Sequence, residues 1–542
     1  MADHFHIHRR TLIAGTAAAL LVPRRLLATP VAGFTHGVAS GEPGARSMLF
    51  WTRFVGAAER PQELELEIAT SPRLTRPVAR ARTLADPAND WCAKVTVAGL
   101  APATTYYYRF TGPGRAHSPI GRTRTLPEGD AQMFRIGLFS CSNLPYGWFN
   151  AYGHAVAADD IDLFVHVGDY FYEYPRGTYP DARVAVPGRV IEPPGETIAL
   201  SDYRARYASY RADPDLQAIH ALFPAVTTWD DHESANDAWT GGAENHQPAT
   251  EGPWTARLAA ARKAYREWMP VSDAPYERYE IGRLATLHRL DTRVEGRDQP
   301  LSVAGALRGA TDMQAALVKL RDEQWLAGNR QLLGTAQEAW LFAGMEAAAK
   351  RGARWQVLAQ QVLMGQLRAP ADAAALLPPD PDGRVKALVE AGAAAARVGL
   401  PLNMDAWDGY PAARARLLAA AQKTEANLIV LAGDSHNAWA FDLENDGRPA
   451  GVEFATHSVS SPGFEAYLSA VAPTELARAL MGSNPLLRWC ETSQRGYTHL
   501  TLTPREAVAE WRFTAPVSSR APRLAATGRA RVLAGTNRLQ IG

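Results

Sequence analysis

Four apolar runs in this chain each end in a knot of potential metal ligands, and that repetition constrains the fold more than any other feature. Phe134 to Phe139 runs into Ser140-Cys141-Ser142-Asn143, and Ile161 to Val167 into Gly168-Asp169-Tyr170-Phe171-Tyr172-Glu173. Phe223 to Trp229 runs into Asp230-Asp231-His232-Glu233, and Asn427 to Ala432 into Gly433-Asp434-Ser435-His436-Asn437. Short, nearly continuous apolar runs read as strands buried on both faces, and the helical segments between them argue for α/β architecture. In such sheets ligands gather at the carboxyl ends of strands, so the four knots are expected to converge. One polar knot arises readily by chance; four in order call for a site.

Each knot also has a plainer reading. Asp169 followed by Tyr172 gives Gly-Asp-x-x-Tyr, in which the carboxylate can bridge two metals and the phenolate suits a hard trivalent ion. Taken singly, Asp169 would serve as a helix N-cap and Tyr172 as a packed aromatic. Cys141 is either a small buried hydrophobe or, at the end of the first core strand, a thiolate ligand. Asp230 to Glu233 would otherwise be a capped helix start with an acidic face, and Asn236 lies within helical reach of His232. Asp434 and His436, two apart, point to one side of an extended segment. Cys92 and Cys490 lack such surroundings and read as core residues, with a disulfide between them as the alternative.

Ahead of this region, residues 33–128 read as all-β. Leu64 to Ile68 and Ala93 to Val97 alternate with period two, and a turn at Gly99 to Pro102 precedes the aromatic run Thr104 to Phe110. The expectation is an immunoglobulin or fibronectin III-like β-sandwich, joined by a linker at Pro127 to Asp130 to an α/β domain spanning 131–525. At 542 residues the chain is long enough for two such domains. Ala-rich stretches at 312–349 and 385–397 predict helices, and Pro-rich pieces at 175–195 and 369–382 predict surface loops.

The 57 basic and 56 acidic side chains nearly cancel, which leaves no whole-chain field to attract nucleic acid or an anionic membrane. Arg9-Arg10 directly precedes the apolar run Leu12 to Val22, with Ala28 and Ala32 as small-residue cleavage points. This pattern predicts a twin-arginine signal over residues 1–32, the twin-arginine export machinery as a partner, and a periplasmic or secreted product. The run is too short to cross a bilayer, so no stable membrane span is expected. Three cysteines make no disulfide framework.

The motifs taken together resemble the PhoD family of bacterial alkaline phosphatases. Phe34 to Pro43 with Trp51-Thr52-Arg53 resembles the opening of its N-terminal domain. Gly168 to Tyr174, Thr228 to Trp239, Leu290 to Arg293, Leu431 to Ala440 and Ser458 to Glu465 resemble the motifs of its catalytic domain. The resemblance implies a metallophosphoesterase-type α/β sandwich that hydrolyses phosphate monoesters, with diesters as a second class, at an Fe(III)/Ca(II) centre. Carried over by motif, Cys141, Asp169, Tyr172 and His436 would serve Fe(3+). Asp169 would bridge to Ca(2+), with Asp231, Asn236 and Asp434 on the calcium side and Glu173 and Glu233 as further alternatives. The purple acid phosphatases share Gly-Asp-x-x-Tyr but read Gly-Asn-His where this chain has Asp230-Asp231-His232 and Gly-His-x-His where it has Gly433-Asp434-Ser435-His436, and carboxylate oxygen in place of imidazole suits a harder ion. His232 is expected to contact the phosphoryl group or protonate the leaving alkoxide. Arg293 is expected either to clamp phosphate or to form a structural ion pair with Asp291 or another carboxylate. No nucleophilic serine pattern is present. Competing readings are a phosphodiesterase of phospholipase D type, a purple acid phosphatase, and an exported binding module with a vestigial second domain.

Overall fold

The expected apolar runs form strands, and their register decides where the polar knots end up. In the computed structural model, which describes residues 32–370 and 372–542, Phe134–Phe139, Leu163–His166 and Pro224–Thr227 lie side by side and parallel. Phe139 pairs with His166 and His166 with Thr227, so the three strands finish flush at one edge. Residues 1–31 of the predicted signal segment lie outside the described residues.

The fourth run, Leu428–Ala432, belongs to a different sheet. It is one of seven strands, flanked in parallel by Trp355–Ala359 and Arg448–Ala455. The first three runs belong to a ten-stranded sheet, and the two sheets pack face to face. Ile136, Leu138, Val165 and Val226 from one meet Leu287, Val357, Ile429 and Phe454 from the other in a single apolar layer. Each such side chain contributes roughly 1.5–3 kcal/mol through its burial. The four core runs are therefore covered on both sides, which is why they lack period-two alternation.

Helices close the outer faces. Asn150–Ala158, Leu200–Arg211, Pro214–Leu222 and Trp254–Trp268 cover the ten-stranded sheet through Tyr152, Tyr207, Ile219 and Ala264. Gly334–Lys350, Pro411–Lys423 and Pro473–Ser483 cover the seven-stranded sheet through Leu341, Met345, Leu418 and Leu480. Asp213 shows how one start is fixed. Its carboxylate accepts the N–H groups of Asp215 and Leu216 while Pro214 occupies the first helical position.

Three features differ from the sequence reading. The N-terminal β region is not bounded by its own sheets, because Gly33–Gly41, Ser47–Val55 and Cys92–Ala98 extend the ten-stranded sheet. Ser40 and Gly41 pair in parallel with Pro224 and Ala225, which removes an open edge on both sides. Only Ala79–Ala85, Gln62–Ala69, Thr105–Thr111 and Gly121–Arg124 form a separate four-stranded sheet over the apolar cluster of Val38, Phe50, Leu66 and Tyr108. At the other end the ten-stranded sheet continues through Leu524–Leu533 to Leu539–Ile541, past the expected limit at 525.

The Ala-rich stretch from 312 is also broken, into Met313–Leu320 and Gly334–Lys350. Gly334 has φ +73°, and a Cβ there would meet the Gly296 Cα at 2.8 Å, so the chain turns where only glycine fits. Cys92 and Cys490 are free and buried in different apolar clusters. Among the described residues, no helix is long and apolar enough to cross a membrane.

Candidate metal centre

Beyond the flush strand ends the chain turns sharply, and it does so at the residues the motifs single out. Cys141, Asp169, Asp434 and His436 have φ of 60°, 52°, 59° and 62°. Side chains other than glycine seldom adopt that region, at a cost on the order of 1–3 kcal/mol each, and such strain clusters at functional sites. The loops lock together through main-chain bonds. Cys141 N donates to Gly168 O at 3.1 Å, Ser142 N to Asp169 O at 2.8 Å, and Val459 N to Ser140 O at 2.9 Å. Gly168 and Gly433 permit the close approach, since a Cβ would meet Asp230 Cβ at 2.3 Å and Ser140 Oγ at 2.1 Å respectively.

Two sets of side chains meet there. In the first, Cys141, Asp169 and His436 each bring a ligand atom within 4.8 Å of the others. The Tyr172 hydroxyl lies among them, 3.1 Å from Asp169 Oδ2, 3.0 Å from His436 Nε2 and 2.6 Å from Ser461 Oγ. His436 Nδ1 donates to the carbonyl of Pro462 at 2.6 Å, which leaves Nε2 as the lone-pair atom facing the set. The second set contains Asp230, Asp231 and Asp434, and Asp169 joins it through Asp231 and His232. Asp169 thus belongs to both sides, as a bridging carboxylate would.

The remaining polar groups hold these in place. Glu233 is fully buried and accepts the N–H groups of Tyr170 at 2.6 Å, Asp230 at 2.7 Å and Asp169 at 3.2 Å. Glu173 accepts from His232 Nδ1 at 2.6 Å, and from Asn236 N and Asn245 Nδ2 at 2.8 Å each. Both carboxylates are committed to the protein, which sets them apart from the ligand sets. Asn236 stands beside the site, its side-chain nitrogen 3.2 Å from Glu244. Burial opposes a charge on His232, but Asp231, Glu173 and Asp169 outweigh it and hold the imidazole well above its usual range.

Arg293 lies fully buried within the acidic cluster. It pairs through Nε with Asp230, through Nη1 with Asp405 at 2.5 Å and through Nη2 with Asp434 at 2.8 Å. Of the two arrangements expected for it, the structure shows the ion pair, with these three aspartates and, at 3.5 Å, Asp231 in place of Asp291. Asp291 instead accepts the Arg293 N–H at 2.8 Å and the Trp229 indole at 2.8 Å. Asp405 was not legible in the sequence. It is an isolated residue of an irregular loop and reaches the cluster only through the fold. Ser461 lay within a motif already noted, but nothing pointed to its bond with Tyr172.

Arg293 does not balance the cluster. Asp169 Oδ1, Asp230 Oδ2 and Asp231 Oδ1 are buried without a hydrogen-bond partner. Burial, reinforced by the neighbouring carboxylates, pushes Asp169 and Asp230 well above the usual carboxylate range and raises Asp434. Burial and the Asp169 charge likewise push up the Cys141 thiol and the Tyr172 phenol. Ionising these groups without a counter-charge would cost several kcal/mol each, whereas cations beside them would reverse that balance. The donor set therefore fits metal ions: thiol, phenol and imidazole on one side, carboxylate oxygen on the other.

Strained loops carrying unsatisfied carboxylates at the shared edge of two packed sheets define the centre of a metal-dependent hydrolase. The family model described as PhoD-like phosphatase matches residues 136–511, and that of its N-terminal domain matches residues 24–127. Alkaline phosphatase D of Bacillus subtilis (strain 168) is 32% identical over 504 residues, covering 88% of this chain and 77% of that protein. A solved structure of PhoD superposes with a TM-score of 0.76 at 29% identity, covering 95% of this chain and 92% of that one. The chain belongs to the PhoD-like phosphatase family and is a phosphoric ester hydrolase.

Proposed function

We propose that the chain is an exported alkaline phosphatase that hydrolyses phosphate monoesters, with diesters as a second class, at an Fe(III)/Ca(II) centre. The observation that carries this reading is the trio of buried oxygens without a hydrogen-bond partner on Asp169, Asp230 and Asp231 beside the set of Cys141, Tyr172 and His436. Cys141, Asp169, Tyr172 and His436 would hold the iron, because thiolate, phenolate and imidazole suit it. Asp169, Asp231, Asn236 and Asp434 would hold the calcium, which prefers oxygen. Bound there, such ions supply Lewis acidity, polarising a phosphoryl oxygen and acidifying water.

The protein's own groups do the rest. With Nδ1 given to Glu173, His232 is left with Nε2 to meet the phosphoryl group or pass a proton to the leaving oxygen. Arg293 organises the acidic side by orienting Asp230 and Asp434, and any contact it makes with phosphate is secondary to that. Residues 33–128 are read as an immunoglobulin or fibronectin III-like sandwich that shares one sheet with the metallophosphoesterase-type domain, that domain as running from 131 beyond 525 through Leu539–Ile541, and residues 1–32 as the twin-arginine signal. Export to the periplasm or medium follows from that signal.

The test is hydrolysis of p-nitrophenyl phosphate and its bis-ester across pH. Monoester turnover at alkaline pH, abolished by calcium chelation and restored by calcium, supports the proposal. Turnover of the bis-ester alone would replace it with a phosphodiesterase.

A further inference from the structure

The Tyr172 hydroxyl meets three polar neighbours, and only one of them has a proton to give it. Asp169 Oδ2, at 3.1 Å, is a carboxylate oxygen and, as an ionised ligand, can only accept. His436 Nε2, at 3.0 Å, presents its lone pair because Nδ1–H goes to the Pro462 carbonyl. The third neighbour, Ser461 Oγ, is the nearest at 2.6 Å. Ser461 is fully buried, and its hydroxyl has one alternative acceptor, the Cys141 carbonyl at 2.9 Å. That carbonyl also takes the N–H groups of Ser460 and Ser461 at 3.3 Å each, so it keeps partners when the hydroxyl turns away. Ser458 holds the loop from behind, its Oγ donating to the Ser461 carbonyl at 2.5 Å.

We propose that Ser461 donates a hydrogen bond to the phenolate oxygen of Tyr172 and so sets how much negative charge Tyr172 presents to the iron. This rests on the iron reading above and adds the residue that tunes that side of the centre. Asp169 and His436 serve the same cation with lone pairs, which leaves Ser461 to pair the remaining lone pair of the phenolate. An O–H donated to an anionic oxygen at 2.6 Å is a charge-assisted bond of the stronger kind. Such a bond withdraws charge from the ligand, and hydrogen bonds to ligands are a means by which proteins adjust a metal's potential and activity. Ser461 is therefore a positioning residue that acts through Tyr172.

Visible absorption of the iron-loaded protein tests this, because a phenolate on Fe(III) absorbs by charge transfer at an energy that follows the charge on its oxygen. Tyr172→Phe should abolish the band and thereby assign it. Ser461→Ala should move the band to longer wavelength and lower the Fe(III)/Fe(II) potential, and kcat should fall by about 10- to 100-fold with KM little changed. Ser461→Thr keeps the hydroxyl and should stay near the wild-type wavelength. Ser458→Ala, which loosens the same loop without touching Tyr172, should leave the band in place. In the wild type, exchange into D2O should shift the phenolate C–O stretch in the resonance Raman spectrum, a readout that needs no variant to fold. A band unmoved in Ser461→Ala with iron bound, an equal shift in Ser458→Ala, or a stretch indifferent to D2O would overturn the inference. If the wild type loaded with Fe(III) showed no band that Tyr172→Phe removes, the iron reading itself would fail, and this inference with it.

Discussion

Glu233 accepts the backbone N–H of Tyr170 at 2.6 Å, and its carboxylate also takes the N–H groups of Asp169 and Asp230. One buried side chain thereby ties the loop after the second core strand to the loop after the third. Those loops carry Asp169, Tyr172 and Asp231, so Glu233 sets the spacing of both ligand sets without belonging to either.

Glu233→Ala should consequently lower metal affinity by about 10- to 100-fold, the usual cost of losing a supporting group. It should also lower the melting temperature, because three buried N–H groups lose their acceptor at about 1–3 kcal/mol each. Metal content per chain and calorimetry read the two effects. A variant with full metal content would show that the loops hold themselves.

His232→Asn should lower kcat by about 10²- to 10⁴-fold, the range of a general acid or base, and leave metal content near that of the wild type. Glu173→Gln should give a smaller loss, because it disturbs the ring's orientation and leaves the ring in place. Equal losses of kcat and metal in His232→Asn would reassign His232 as a ligand.

Arg293→Met should destabilise the fold by about 3–5 kcal/mol, since it strands buried carboxylates that the guanidinium now pairs. The urea midpoint of the chelated protein measures this. A raised KM with unchanged stability would instead mark Arg293 as a phosphate clamp.

Asp408 supplies a pH test away from the centre. Burial pushes its pKa up to about 6, against the pull of Arg414 and of the Leu367 N–H that it accepts at 2.7 Å. The folded pKa exceeds the unfolded one, so the folded chain holds the proton longer and its stability falls as pH rises towards 6. Between pH 5 and 7.5 the wild type should lose about 1.4 kcal/mol relative to Asp408→Asn, which cannot titrate there. Parallel pH dependence of the two urea midpoints would refute the assignment.

The sequence exposed the four ligand knots because each follows an apolar strand too uniform to be amphipathic. That same uniformity hid which sheet a strand joins. Leu428–Ala432 looks like Leu163–His166, yet it lies in the facing sheet. The pairing of Ser40 and Gly41 with Pro224 and Ala225 joins segments far apart in sequence, and no local pattern announces it. Asp405 stayed hidden for a similar reason, being an ordinary loop aspartate until the fold brings it to Arg293. Glu173 and Glu233 were visible as acids but not as supports, because an acid among ligands looks like a ligand until its hydrogen bonds are known.

Elemental analysis of the purified, undenatured protein tests the central claim most directly. The account predicts about one iron and at least one calcium per chain, with iron lost in Cys141→Ala and calcium selectively weakened in Asp231→Asn. Wild-type protein that holds neither metal after loading with both would contradict it.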